Sequence, residues 1–426
     1  MMMKITHILL PACLVFLVSL SAHGQQTVQG HECGVEREVS AGGLTERTYN
    51  RLSRIYEDIG DDNLAEAYEA LSSLLDRTRR EEFEQATVLQ AMGHVRAQQE
   101  RYSEAIGYFR RSIDLNQLPN REHFEMMLQV AYLYHAMERY QDALDQIDLW
   151  FCVSPAEGEN VINVWVMKAS IHAQLDEFRQ ALEAIDMAIA LSDEPRENWY
   201  QLKLGMHFEL NEYPEAADVL RILIRMRPDS KNYWVQLSSI LLELDDENDA
   251  RSVLALAYRK GLLDRQTEYL QLASLQQSHD APRKAAEVLE DGLGSGVIEE
   301  TRQNWEMAAG AWYEARELER ALDAYERAGA LSADGGLDLQ RAFILTNLER
   351  WDDVADALER AMELGGLNER QRGDVHLLRG MSLYNQGQFD AAIEAFNEAT
   401  NYGRVERAAR EWINHVRQER SRRANR

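Results

Sequence analysis

Any chemistry in this 426-residue chain would rest on its 11 His, 3 Cys and 72 Asp plus Glu, so their spacing comes first. No two histidines stand at i, i+4, which removes a helical pair of zinc ligands. His31-Glu32-Cys33 offers three ligand types in a row, but adjacent residues rarely converge on one ion. There is no Cys-x-x-Cys and no phosphate-binding glycine loop ending in Lys-Ser or Lys-Thr. Gly292-Leu293-Gly294-Ser295-Gly296 is not a nucleophile elbow, because its serine is out of register with Gly-x-Ser-x-Gly. It is expected to lie between helices, where glycine ends them. Asp245-Asp246-Glu247-Asn248-Asp249 lacks the glycine and terminal glutamate of a calcium loop and reads as a turn with an N-cap. The expectation is a non-enzymatic chain without metal or cofactor.

Composition limits the partners. Lys plus Arg number 46 against 72 acidic residues, a formal charge of −26. Such a surface repels phosphate backbones and anionic membranes, so nucleic acid is not an expected partner. Residues 1–24 read as a signal peptide: Lys4 begins it, Ile8 to Leu20 is apolar, and Ala22 and Gly24 suit a cleavage site. The apolar run is too short to span hydrocarbon comfortably, and an uncleaved N-terminal anchor is the alternative. Leu10-Pro11-Ala12-Cys13 has the look of a lipoprotein box, but most of the apolar run follows Cys13, so lipidation is not expected. The address is therefore periplasmic, with no transmembrane segment after cleavage. Cys33 and Cys152 then remain in an oxidising compartment and could pair, although the apolar setting Leu149-Trp150-Phe151-Cys152 favours a buried free thiol.

The elements that would position any site form a counted repeat. An alanine early in a second helix recurs at Ala105, Ala143, Ala181, Ala216, Ala250, Ala285, Ala321 and Ala392, with Val354 in the same register. The gaps are 38, 38, 35, 34, 35, 36, 33 and 38 residues. Large apolar residues follow four positions later, from Phe109 to Phe396, and small ones often seven later. A large residue recurs sixteen earlier, as at Trp165, Tyr200, Trp234 and Trp305. Pro155 and Pro228 fall twelve after their anchors, where the second helix should stop. A looser unit with Leu52, Tyr56, Gly60, Ala67 and Leu71 begins the series.

That period and these slots resemble the tetratricopeptide repeat. The implied fold is all-α, a right-handed superhelical solenoid of about ten helix-turn-helix units. The expected organisation is an extended segment over 25–44, the solenoid over 45–401, a cap helix over 402–419 and a basic disordered tail over 420–426. From Arg404 onward there are eight Arg and three Glu, leaving about −31 on the rest. The tail could grip the acidic body or an anionic surface, but reads better as a frayed end.

In such repeats the first helix lines the inner face, at 15, 11 and 8 residues before each anchor. Candidate partner-binding residues there are Gln90, His94, Leu128, Tyr132, His135, Ser170, Gln201, Phe208, Ser239, Gln277, Tyr313, Phe343 and Tyr384. Leu339 occupies the same kind of slot. No Lys or Arg does, which argues against a clamp for a peptide's terminal carboxylate. The lining suits an extended or helical segment held by apolar anchors.

Several segments resemble the periplasmic tetratricopeptide proteins associated with TonB–ExbB–ExbD systems of Gram-negative bacteria. They are Leu44-Thr45-Glu46-Arg47-Thr48-Tyr49, Glu197-Asn198-Trp199-Tyr200-Gln201-Leu202, Tyr233-Trp234-Val235-Gln236-Leu237 and Ala257-Tyr258-Arg259-Lys260-Gly261-Leu262-Leu263. Ala408-Ala409 with Trp412-Ile413 match near the end. That group often carries two nearby N-terminal cysteines, whereas only Cys33 stands here. The resemblance implies an accessory scaffold for outer-membrane import of iron chelates, with TonB, ExbB, ExbD or other envelope proteins as partners. A cell-envelope assembly or export adaptor is the alternative, and a carbohydrate-binding module using the Trp and Tyr side chains is a lesser one.

Overall fold

A computed structural model of the chain describes residues 27–34, 36, 37, 39, 42–154 and 159–424. The expected signal segment and Pro155 lie outside the described residues.

The ten alanine-type anchors explain the architecture. Ala67, Ala105, Ala143, Ala181, Ala216, Ala250, Ala285, Ala321, Val354 and Ala392 are all wholly buried. A side chain no larger than Val lets two helix backbones approach closely, and the large residue four positions on fills the groove beside it. Phe109, Ile147, Ile185, Leu220, Leu254, Leu289, Leu358 and Phe396 are buried in that role, while Tyr325 is half-buried.

The chain divides into two compact units, 1–210 and 211–426. The first opens with a two-stranded antiparallel hairpin, β1 (Thr27–Val28) and β2 (His31–Glu32). Gln29 and Gly30 both take positive φ at its tip, as a two-residue hairpin turn requires. Helix pairs follow: α1 (Glu46–Gly60) with α2 (Leu64–Arg77), α3 (Glu82–Gln98) with α4 (Tyr102–Leu115), and α5 (Asn120–Ala136) with α6 (Tyr140–Val153). Then come α7 (Glu159–Gln174) with α8 (Phe178–Leu191), and α9 (Glu197–Glu209). From α1 to α9 each helix packs on the next, so cores run continuously from pair to pair.

The second unit begins with α10 (Tyr213–Met226), after which Pro228 blocks continuation. Its pairs are α11 (Lys231–Glu243) with α12 (Glu247–Arg259), α13 (Gln266–Ser278) with α14 (Pro282–Ser295), and α15 (Arg302–Glu314) with α16 (Leu318–Ala330). These are followed by α17 (Gly336–Asn347) with α18 (Trp351–Leu364) and α19 (Glu369–Asn385) with α20 (Phe389–Ala399). One core spans Trp234 to Leu378, and α21 (Glu406–Ala424) closes a second through Ala409, Ile413 and Val416.

The looser first unit is a helix pair, with Ala67 in register 38 residues before Ala105. Three expectations are corrected by these elements. Gly292 to Ser295 form the last turn of α14, and only Gly296, left-handed at φ +77°, ends it. The basic end is helical to Ala424, past the expected boundary at 420. Arg420 pairs with Asp390, the Arg423 guanidinium lies 4.9 Å over the Phe389 ring, and Arg423 bonds Glu419 at 3.3 Å. Arg side chains in a last turn also favour the helix dipole. Finally, Cys152 is no free thiol: it forms a disulfide with Cys33, with Cα atoms 4.4 Å apart. The hairpin that precedes Cys33 lies against α6, and Gly34 N donates to Cys152 O at 2.9 Å, so the two sulfurs meet at the helix end.

The first helix of each pair ends in a feature the sequence did not advertise. Five residues before every anchor the backbone is left-handed: Asp62, Glu100, Glu138, Asp176, Asn211, Asp245, Asp280, Arg316, Glu349 and Gly387 all have positive φ. This single αL residue ends the first helix and reverses the chain into the second.

Candidate partner-binding surface

The face that could receive a partner is built by the first helices of the pairs. The slots at −15, −11 and −8 from each anchor lie on these helices, and His94, His135 and Tyr384 among them also touch the second helix of their own pair. None of the thirteen candidate residues is buried. Leu339 is the exception among the predicted slots, at 2% exposure. It lies in the first turn of α17, which tucks against α19, and so serves the core.

In the first unit the −11 slots of α1, α3 and α5 carry Tyr56, His94 and Tyr132. Tyr56 is 49% and Tyr132 41% exposed, and His94 is half-buried with its ring edge-on to Phe109, centroids 5.0 Å apart. Burial pushes both tyrosine hydroxyls above their ordinary pKa and pushes the His94 imidazole down, partly countered by Glu125. Three rings on successive helices thus sit in a partly dehydrated setting. Gln90 and Leu128 flank them half-buried, and His135 packs against Tyr140 at 5.8 Å. Ser170 on α7 is half-buried, and Gln201 and Phe208 on α9 are exposed.

Sequence reasoning missed Tyr56. The signal is present, since Tyr56 stands eleven before Ala67 in the first, looser unit.

In the second unit the corresponding face is less continuous. Tyr313 on α15 and Phe343 on α17 are 44% and 37% exposed. Two polar candidates are already engaged: Ser239 Oγ donates to Val235 O at 3.0 Å and Gln277 Nε2 to Glu314 Oε2 at 2.8 Å. Tyr384 is committed elsewhere. Its hydroxyl meets His415 Nε2 at 2.9 Å and its ring packs on Trp412 and Phe389, so it ties α19 to α21 and α20.

Other groups singled out by type find structural partners. Cys33 is consumed by its disulfide, so His31-Glu32-Cys33 cannot offer a thiolate. Asp246 caps α12, accepting from Asp249 N at 3.2 Å, and Asp245 is the left-handed turn residue. Asp338, wholly buried, pairs with Arg341 at 3.1 Å and Arg360 at 3.6 Å, joining α17 to α18. Among the described residues no group of three His, Cys, Asp or Glu is placed to hold a metal, and no helix is long and apolar enough to cross a membrane.

Comparison with known proteins agrees with this geometry. The family model described as "Tetratricopeptide repeat" matches residues 91–150, 206–261 and 345–403. Among solved structures, a tetratricopeptide repeat protein from Parabacteroides merdae is 13% identical, covering 63% of this chain and 99% of its own, with a TM-score of 0.37. The Cut9–Hcn1 complex of the APC/C is 11% identical over 87% of this chain and 96% of its own, at a TM-score of 0.33. The TPR2AB domain of yeast Sti1, in a complex with pHSP90, is 12% identical over 61% of this chain and 99% of its own, at a TM-score of 0.29. No curated protein sequence matches the chain. The three matched segments carry the tetratricopeptide repeat, and the same helix-pair register runs through the helices around them.

Proposed function

We propose that the chain is a non-enzymatic periplasmic scaffold and an accessory component of a TonB–ExbB–ExbD system, supporting outer-membrane import of iron chelates. The observation that carries the scaffold reading is the run of Tyr56, His94 and Tyr132 on successive first helices, exposed or half-buried and free of Lys and Arg in their slots. Aromatic anchors of this kind supply large contact area at little conformational cost. The absence of basic donors in those slots favours an internal segment of a partner over its C-terminal carboxylate. The signal-like residues 1–24 support the periplasmic address, and the resemblance of Leu44–Tyr49, Tyr233–Leu237 and Ala257–Leu263 to TonB-associated proteins supports the system. A formal charge of −26 would draw Lys-rich periplasmic segments towards the chain.

The test is crosslinking in intact cells followed by purification through a tag at the C-terminus. Recovery of TonB, ExbB or ExbD is the expected result. Recovery of only outer-membrane biogenesis or export components would overturn the TonB assignment in favour of an envelope adaptor.

A further inference from the structure

The stretch from Thr27 to Thr45 runs back along the stack, from the third helix pair to the first, and is fastened on the way. At the third pair, Gln29 Nε2 donates to Asp145 O at 3.0 Å, Gly34 N donates to Cys152 O at 2.9 Å, and Cys33 is bonded to Cys152, all on α6. Arg37 grips the turn from α4 to α5, which joins the second pair to the third. Its Nη1 donates to Asn120 Oδ1 at 2.9 Å, its Nη2 to Leu118 O at 2.6 Å and its Nε to Asn116 Oδ1. Gly42 then lies against the Phe83 ring on α3, where a Cβ would collide. Finally Glu84 of α3, 5% exposed, accepts from Thr45 N and from Thr48 Oγ1, each at 2.8 Å, and so holds the start of α1.

Apolar burial does not hold this strap. No described residue from Thr27 to Thr45 is buried, so its place depends on the disulfide and on polar bonds. In a stacked array each pair touches only its neighbours, and small rotations at successive interfaces add up. A strap bonded to both the first and the third pair closes a loop through all three and opposes that freedom. The same three pairs carry Tyr56, His94 and Tyr132, whereas the next first helix, α7, has Ser170 in that slot. The aromatic row and the strap cover the same stretch of the stack.

We propose that the strap is a clamp that fixes the spacing of the three rings, with the disulfide as its catch. While the catch is closed, the row meets a partner already ordered and loses less freedom on binding. Once it is open, the pairs move against one another and the row binds more weakly. What the rings bind rests on the scaffold reading above; their spacing does not.

The experiment therefore measures the spacing with no partner present. p-Acetylphenylalanine at positions 56 and 132 of the full chain takes ketone-reactive spin labels and leaves both cysteines in their disulfide. Pulsed electron spin resonance then reads the distance distribution. A control pair at positions 170 and 205 occupies the same slots on α7 and α9, beyond the strap. Cys33→Ser/Cys152→Ser should broaden the 56–132 distribution and leave 170–205 unchanged. Arg37→Ala, which keeps the disulfide, should broaden 56–132 to a smaller extent. The proposal is overturned if 56–132 stays as narrow in the folded double-serine chain as in the wild type. It is also overturned if both pairs broaden alike, the result expected of general destabilisation. Should the double-serine chain fail to fold, an Arg37→Ala chain as narrow as the wild type overturns it. Adducts formed in cells by a photocrosslinker at position 132 should lose yield with the double substitution, and an unchanged yield would sink the link from spacing to binding. Loss of the TonB assignment would leave the distance measurement intact, since no partner enters it.

Discussion

Gly93 and Gly380 stand at the same place, twelve residues before an anchor, and each faces a phenylalanine four after it. A Cβ on Gly93 would come within 2.5 Å of the Phe109 ring, and one on Gly380 equally close to Phe396. Where the facing residue is Ile147, Ile185 or Leu289, the same slot holds Ala131, Ala169 or Ala273. The contact therefore conserves volume, and Gly93→Ala should cost about 1–3 kcal/mol by overpacking. Urea unfolding of Gly93→Ala, Phe109→Leu and the double variant checks this: the double variant should lose less than the sum of the singles. His123 gives a second prediction at this scale. Its folded pKa, about 4, lies below the ordinary value near 6.5. The unfolded chain thus takes up the proton first as pH falls, and the His123 contribution is lost between about pH 6.5 and 4. It amounts to about 1–3 kcal/mol. His94 and His376 are depressed in the same direction, so the contribution is read as the difference between wild type and His123→Phe. A difference that does not change across this window would contradict a buried neutral imidazole.

The helix pair is the unit of stability, and its reversal depends on one left-handed residue. Asp, Asn and Gly tolerate αL, but Arg316 and Glu138 occupy it at φ +63° and +57° with no such advantage. Arg316→Gly should stabilise by up to about 1 kcal/mol, seen as a raised denaturation midpoint with unchanged slope. The disulfide joins positions 119 residues apart and so closes α1 to α6 into one loop. Replacing both cysteines by serine should cost about 2–4 kcal/mol and expose the hairpin to proteolysis near Gln29. This is also where the sequence ceased to be legible. The repeat register, the helix pairs and the sides of the first helices follow from spacing alone, because ten small anchors at 33 to 38 residues leave little freedom. The left-handed residue hides among Asp, Glu and Arg, which usually mark any solvated turn. The pairing of Cys33 with Cys152 needs the hairpin laid against α6, a contact no periodicity encodes. Among the candidate contacts, Tyr384 is half-buried and taken up by α21, a helix outside the repeat register.

At the scale of the whole molecule, acidity and the exposed aromatic face set what can bind. Salt screens exposed charges more than about 8 Å apart at physiological ionic strength, so association with a Lys-rich partner should slow as salt rises while the apolar anchors persist. The most direct test of the account places a photocrosslinking amino acid at Tyr132, on the first-helix face, and at Met187, an exposed position on the second helix α8. In living cells the account predicts adducts with TonB, ExbB or ExbD from position 132 and few or none from position 187. Adducts from position 187 alone, or from position 132 only to export or biogenesis proteins, would contradict it.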